Sequence, residues 1–468
     1  MNNLKRVEKD SLGELELPAN VYYGIQSFRA SKNFQISGTQ IHPELIRSYI
    51  LLKRSAARAN YKAGALSRDL CDTIVLACDD LLKIDFKKHP ENYFIIDAYQ
   101  AGAGTSQNMN ANEVIANMAN EILGHPLGSY KSVHPNDHVN MSQSTNDSYP
   151  TVMRLAALTL SKRLVSELTL LSGAFEGKSL EFDSVIKAGR THLQDAVPIR
   201  LGQEFSAYKN VCDHLIGLVI HAQTFLRVLG IGGSAVGSGL NVPHGYRQFI
   251  LEELKKSFDD ENLELASNMF EAMQSQMPLM IYSNALRTAA LELTRICNDL
   301  RLMSSGPSTG LAEITLPSTQ PGSSIMPGKV NPSILEMANQ VFFKILGNDS
   351  AMGFTMQAGQ LELNVMMPVM AQLALESTML MTNTLHTLRE LCLNGIKANS
   401  EQCERYVGMT SQIATVLNPI IGYAKAGELA KEAVREHKSM FDLIREKGIL
   451  TEDQMKKILN LREMTEAK

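Results

Sequence analysis

From Leu279 the apolar residues Leu279, Tyr282, Leu286, Ala289, Leu293, Ile296, Leu300 and Met303 recur at alternating steps of three and four, while Arg287, Glu292, Arg295 and Asp299 fall off that line. A seam of this period is a helix that buries one stripe against other helices. At about 1.5 Å per residue the seam is roughly 37 Å long. Similar long patterns cover about 151–181, 203–229 and 360–392, with Gly- and Pro-bearing loops between them and no alternating strand pattern. The expectation is a mainly α protein with a long central antiparallel helical bundle.

A chain of 468 residues is too long for one compact core. Residues 1–145 mix shorter helical patterns with loops, 146–398 hold the bundle, and 399–468 read as short amphipathic helices with charged faces. These are the three expected domains. Residues 363–391 are apolar nearly all round, but Asn364, Gln372 and Glu376 interrupt them, which fits the buried centre of a bundle and not a membrane span. The 23 methionines suit irregular gap filling in such a core. Helices apolar on more than one face have more surface to hide than one copy can cover, so symmetric self-association is expected.

A net charge of -4 spread along the chain offers no basic footprint for nucleic acid and no polybasic membrane anchor. A small acidic ligand would need a local positive site. The six cysteines are scattered without a C-x-x-C pair, as in a reducing cytosol. The first residues carry acids throughout and no apolar signal region, so a cytoplasmic protein is expected.

Four polar, glycine-bearing stretches interrupt the helices: GAGTSQN (102–108), SQSTNDS (142–148), GRTHLQD (189–195) and GSSIMPGKVNP (322–332). All are rich in hydroxyls and amides and poor in carboxylates. Such donors, with Lys329, suit a carboxylate-bearing ligand. Helix capping is the plain alternative for each, as at Ser148 or Ser333, and His192 also reads as a polar helix-end residue. In the last stretch Gly322 and Gly328 permit positive φ, so successive N–H groups could form an anion-binding nest beside Ser323 and Ser324. A serine in that field can act as base or nucleophile. A mobile lid or a plain turn is an equal reading of the residue types alone.

Competing motifs are incomplete. GIGGSA (230–235) is close to a dinucleotide fingerprint, but it follows the helical run HLIGLVIHAQTFLRVL and opens no βαβ unit. His134 and His138 have a ligand-like spacing, but Pro135 interrupts them and no further ligand completes a zinc site.

GSSIMPGKVNP resembles the signature of the aspartase/fumarase superfamily, and GAGTSQNMNANEV, HPNDHVNMSQSTND, GRTHLQDAVPI and SAVGSGLN occur in that superfamily's order. STND at 144–147, DAVP at 195–198, GQLELN at 359–364 and RLMSSGP at 301–307 resemble the aspartase branch more than the fumarase branch. Met367 stands where the superfamily usually carries a charged side chain, and SILE after Pro332 also departs from its pattern.

The resemblance implies a three-domain fold, a homotetrameric helix core, and sites each built from three subunits. It implies reversible elimination of ammonia from L-aspartate to give fumarate through an aci-carboxylate. Ser323 resembles the general base; Thr105, Ser144, Thr145 and Ser324 resemble the β-carboxylate cradle; Lys329, Asn331 and Thr191 resemble the α-carboxylate clamp; Asn146 and His192 would face the amino group. No metal or organic cofactor is implied. The nearest alternative is a class II fumarase, and from another class a non-catalytic structural protein on the same fold.

Overall fold

The computed structural model describes residues 4–86, 88 and 90–466; the first three residues, part of the expected N-terminal domain, lie outside the described residues, as do 467 and 468. Helices dominate. Among the described residues five are 25 residues or longer: Thr145–Glu181, Leu201–Leu226, Met277–Met303, Ser333–Gln357 and Met367–Leu391. All eight residues of the Leu279–Met303 seam are buried, and Arg287 and Arg295 are exposed.

Hydrogen bonds between side chains tie these helices together. Gln223 reaches Ser161 and Ser172 reaches Asp213; Ser283 reaches Asp349 and Asn339 reaches Asn298. Within each pair of helices the numbers rise on one as they fall on the other, so the neighbours run antiparallel. Met367, the departure noted above, is wholly buried at the start of its helix, where a charge would be stranded.

The chain divides into two compact units: Met1–Val165, Gly217–Ala290 and Phe343–Met381 form one, and Ser166–Ile216, Leu291–Phe342 and Thr382–Lys468 the other. In the first, a hairpin pairs Lys5–Asp10 with Gly13–Pro18, and the Arg6 guanidinium fastens the chain that follows by donating to the carbonyls of Ala19, Val21 and Tyr23. The helix Pro43–Lys62 starts where sequence rules place a start: the His42 ring accepts the Glu44 N–H and Pro43 occupies the first turn.

The helix Thr105–Ile122 is unusual in burying Asn108, Asn110, Asn112, Asn117 and Asn120. Asparagine is a poor helix former, so tertiary bonds must compensate. They do: Asn110 donates to the Tyr93 carbonyl, Asn117 to that of Tyr22 and Asn120 to that of Val133.

In the second unit Phe175, Phe182, Phe205 and Tyr208 meet edge-on. Short C-terminal helices, among them Ser400–Met409, Tyr423–Glu436 and Met440–Glu446, bury Val407, Ile413, Leu417, Leu429, Leu443 and Ile444 together. This unit also holds an antiparallel hairpin, Ile186–Thr191 with Gln194–Arg200, where a Gly-bearing loop without a strand pattern was expected.

Candidate active site

In the first unit the turn Gly102–Gly104 delivers Thr105 to a helix N-terminus. Gly104 is required there: its φ is +82°, and a Cβ would lie 1.9 Å from the Tyr149 ring. One turn on, Asn108 Nδ2 donates to Thr145 Oγ1 at 3.0 Å, which joins this stretch to SQSTNDS. Ser144 caps the helix that follows, its Oγ accepting the Asn146 N–H, while Asp147 reaches back to the Ser144 N–H at 2.9 Å. Ser148, expected as a cap, instead lies wholly buried inside the helix. Asn146 donates to the Ala235 carbonyl at 2.9 Å.

Behind these residues lie two buried charges. Asp147 accepts backbone N–H groups from Gly232 and Ser234, so the glycine-rich stretch 230–235 encloses a carboxylate of its own chain. A two-residue strand, Val228–Leu229, precedes that stretch and pairs in parallel with Glu264–Leu265 after the helix Tyr246–Phe258, so a short βαβ unit stands where none was expected. Burial pushes the Asp147 carboxyl up to about 7, against the pull of its three N–H donors. Lys53 is fully buried, and its Nζ donates to Asn108 Oδ1 at 2.8 Å, Asn140 Oδ1 at 3.0 Å and Gln143 Oε1 at 2.9 Å.

In the second unit the loop after Thr315 carries Ser323, Ser324, Lys329 and Asn331. It closes on itself: the Gly322 N–H donates to the Lys329 carbonyl at 2.8 Å, and Asn331 Nδ2 to the Gly322 carbonyl at 2.6 Å. Gly328 has the expected positive φ, +79°. Gly322 does not; it is needed because a Cβ would sit 2.4 Å from the Lys329 carbonyl oxygen.

Two N–H groups of the loop turn on Ser323 itself. Ser323 Oγ accepts the N–H groups of Ile325 at 3.2 Å and Met326 at 3.0 Å. Two donors aimed at one hydroxyl oxygen stabilise its alkoxide form more than its neutral form. Lys329 is exposed on the same loop, with no acceptor among the described residues, and a concavity of about 570 Å³ opens between Ser318 and Val330. Ser333 begins the next helix, its hydroxyl 3.4 Å from that of Thr319.

Thr191 and His192 lie at the exposed tip of the Ile186–Arg200 hairpin and not at a helix end. The two turn residues, His192 and Leu193, have φ of +55° and +58°. Such a turn ordinarily takes Asn-Gly, so the strain is held by the strands below it. Arg190, next to Thr191, pairs with the fully buried Glu313, which also meets Lys187 at 2.7 Å. Within this unit no hydrogen bond joins the hairpin tip to the Ser323 loop among the described residues.

The family model described as Lyase matches residues 13–347, and one described as Fumarase C C-terminus matches residues 413–466. The chain belongs to the lyase family. Relatives of this lyase include a protein of Bacillus subtilis strain 168 named aspartate ammonia-lyase, 46% identical over 98% of this chain and 96% of that one. One of Escherichia coli strain K12 with the same name is 41% identical over 99% and 97%. The lyase fold also matches a crystal structure described as fumarate lyase:delta crystallin from Brucella melitensis bound to cobalt, with TM-score 0.95, 42% identity and 99% and 100% coverage. A recombinant class II fumarase from Schistosoma mansoni matches with TM-score 0.94 at 34% identity, over 99% of both chains.

Sequence reasoning did not single out Lys53, Asn108, Asn140, Gln143, Asp147, Arg190 or Glu313. For Lys53 a signal existed: in ILLKRSAARAN it shares the core-facing stripe with Tyr49 and Ala56, both buried. A lysine on such a stripe is rare unless its charge has partners.

Proposed function

We infer that the chain is an aspartate ammonia-lyase, which converts L-aspartate reversibly to fumarate and ammonia. The observation that carries this reading is that relatives with that name align over nearly its whole length at 41–46% identity. The difficult step is removal of a C3 proton next to a carboxylate that is already negative. Its loss leaves an aci-carboxylate with two charged oxygens, so the site must favour that state over the ground state.

Ser323 is the proposed base. Its oxygen already receives two N–H donors, which lowers the cost of the alkoxide that takes the C3 proton. The electron pair left on the aci-carboxylate then forms the C2=C3 bond as the C2–N bond breaks, releasing ammonia. Thr105, Ser144, Thr145 and Ser324 are proposed to hold the β-carboxylate, and Lys329, Asn331 and Thr191 the α-carboxylate, with Asn146 and His192 at the amino group. The donors and Lys329 suffice for this charge, so the reaction asks for no metal or organic cofactor.

The three clusters are proposed to converge from three subunits of a homotetramer. In support, the long helices leave Leu180, Phe343 and Phe354 at least 58% exposed in the single chain. The division into 1–145, 146–398 and 399–468 is retained as the proposed domain scheme. Among the described residues no helix is long and apolar enough to cross a membrane. A cytoplasmic location is proposed, in keeping with six buried free thiols.

A class II fumarase is the second reading, favoured by the likeness to the Schistosoma enzyme. Purified protein offered L-aspartate and L-malate separately distinguishes them by the ultraviolet absorbance of fumarate. Product from aspartate alone supports the ammonia-lyase, from malate alone the fumarase, and from neither the non-catalytic alternative.

A further inference from the structure

We propose that Lys53 is a positioning residue that sets the direction of a hydrogen-bond relay, from Lys53 through Asn108 to Thr145, and so leaves the Thr145 hydroxyl proton for a substrate carboxylate. The proposal rests on the reading of Thr145 as part of the β-carboxylate cradle.

Lys53 has no exposed surface, and among the described residues no carboxylate forms an ion pair with it. Each of its three N–H bonds ends on an amide oxygen, those of Asn108, Asn140 and Gln143. An ammonium only donates, so each of these amides must turn its oxygen toward Lys53 and its NH2 away. That choice is what propagates. With Asn108 Oδ1 held by Lys53, Asn108 Nδ2 faces Thr145 Oγ1 at 3.0 Å and Asn140 Oδ1 at 3.2 Å. Thr145 is thereby made an acceptor toward the interior. Among the described residues nothing takes its proton, which is left to donate outward.

The other two amides fix the turn that presents Ser144 and Thr145. Gln143 Nε2 donates to the carbonyls of Val139 and Met141, and Asn140 Nδ2 to that of Gln143. Burial pushes the Lys53 ammonium down to about 7 and the Asp147 charge pulls it back up. A dicarboxylate seated in front of Thr145 adds negative charge that favours the ammonium further.

If the relay runs this way, Lys53 and Thr145 act as one unit, and their effects are not additive. The test is a double-mutant cycle on kcat/KM for L-aspartate with Lys53→Met, Thr145→Val and the double variant, each checked for assembly by light scattering. The expected result is a fall of tenfold or more for Lys53→Met and a double variant within threefold of Thr145→Val. A double variant that loses the product of the two single losses overturns the relay.

Asn108→Asp provides the second arm should Lys53→Met fail to fold. It keeps an oxygen for Lys53 and puts another oxygen where Asn108 Nδ2 meets Thr145, reversing that bond while balancing the buried charge. A tenfold or greater loss in an assembled protein supports the direction assigned; activity within threefold of the parent overturns it. A parent that makes no fumarate from aspartate overturns the functional reading itself, whereas an active parent with an unaffected Asn108→Asp overturns only the relay.

Discussion

Arg190 Nη1 lies 2.7 Å from Glu313 Oε1, and the carboxylate it meets has no exposure to solvent. The same carboxylate meets Lys187, and the Glu313 backbone is fixed at both ends, its N–H on the Met303 carbonyl and its own carbonyl accepting from Asn399. The hairpin tip with Thr191 is therefore tethered to an immobile buried anion. Removing one member of such a cluster strands the others, at a cost of about 3–5 kcal/mol. Because Lys187 keeps Glu204 at 3.0 Å, Glu313→Gln is expected at the lower end of that range, read from the urea midpoint of the assembled protein. An unchanged midpoint contradicts this role.

Gly104 and Gly124 make a matched pair, with φ of +82° and +76°. Alanine at either position takes a left-handed conformation at about 1–2 kcal/mol. Only at Gly104 does the new Cβ also meet the Tyr149 ring, which adds about 1–3 kcal/mol of overpacking. Gly104→Ala should therefore lower the urea midpoint distinctly more than Gly124→Ala, and it alone should reduce turnover, because Thr105 follows it. Equal effects of the two would contradict the steric account.

The hairpin turn gives a prediction of opposite sign. Leu193 is exposed at a φ of +58°. Leu193→Gly relieves that strain and should raise stability by about 1 kcal/mol. His192→Asn also suits the left-handed region, so it should not lower stability, yet it should reduce kcat if His192 faces the amino group. A stable His192→Asn variant with parental kcat removes His192 from the site.

Glu113 governs a pH dependence. It closes the N-terminus of the helix Ile25–Asn33, accepting N–H groups from Gly24, Gln26 and Ser27 and the Ser27 hydroxyl. Burial holds its carboxyl up at about 7, above the usual 4.5, although these donors pull it back. Between those values the folded protein keeps a proton that the unfolded chain has lost, so this group's contribution to stability falls as pH rises through the window. Urea midpoints at pH 4.5 and 7 should fall more in the parent than in Glu113→Gln. Parallel slopes would contradict the elevated value.

The helical framework was legible because its signal is periodic: every residue of the Leu279–Met303 seam is where a step of three and four puts it. The hairpin was not. Its turn is His192-Leu193, residues that normally avoid positive φ, so no turn signal marks it, and Gly189 lies at a bulge where a Cβ would meet the Val197 carbonyl at 2.7 Å. The layer behind the site was missed for another reason. Asn108, Asn140 and Gln143 look like surface residues to a pattern of polar and apolar positions, and only the position of Lys53 on a buried stripe hints that something polar lies inside. The glycine loop 230–235 looked from sequence like an incomplete nucleotide fingerprint, and its use as a cradle for Asp147 depends on contacts across 85 residues of sequence.

The account stands on Ser323 as the group that removes hydrogen from carbon. The most direct test is kcat for L-aspartate in Ser323→Ala, measured on protein shown by light scattering to assemble as the parent does. A loss of about a thousandfold or more is expected, since the basic oxygen and both of its N–H contacts go together. Turnover within tenfold of the parent, in a variant that is assembled and saturated with substrate, would contradict it.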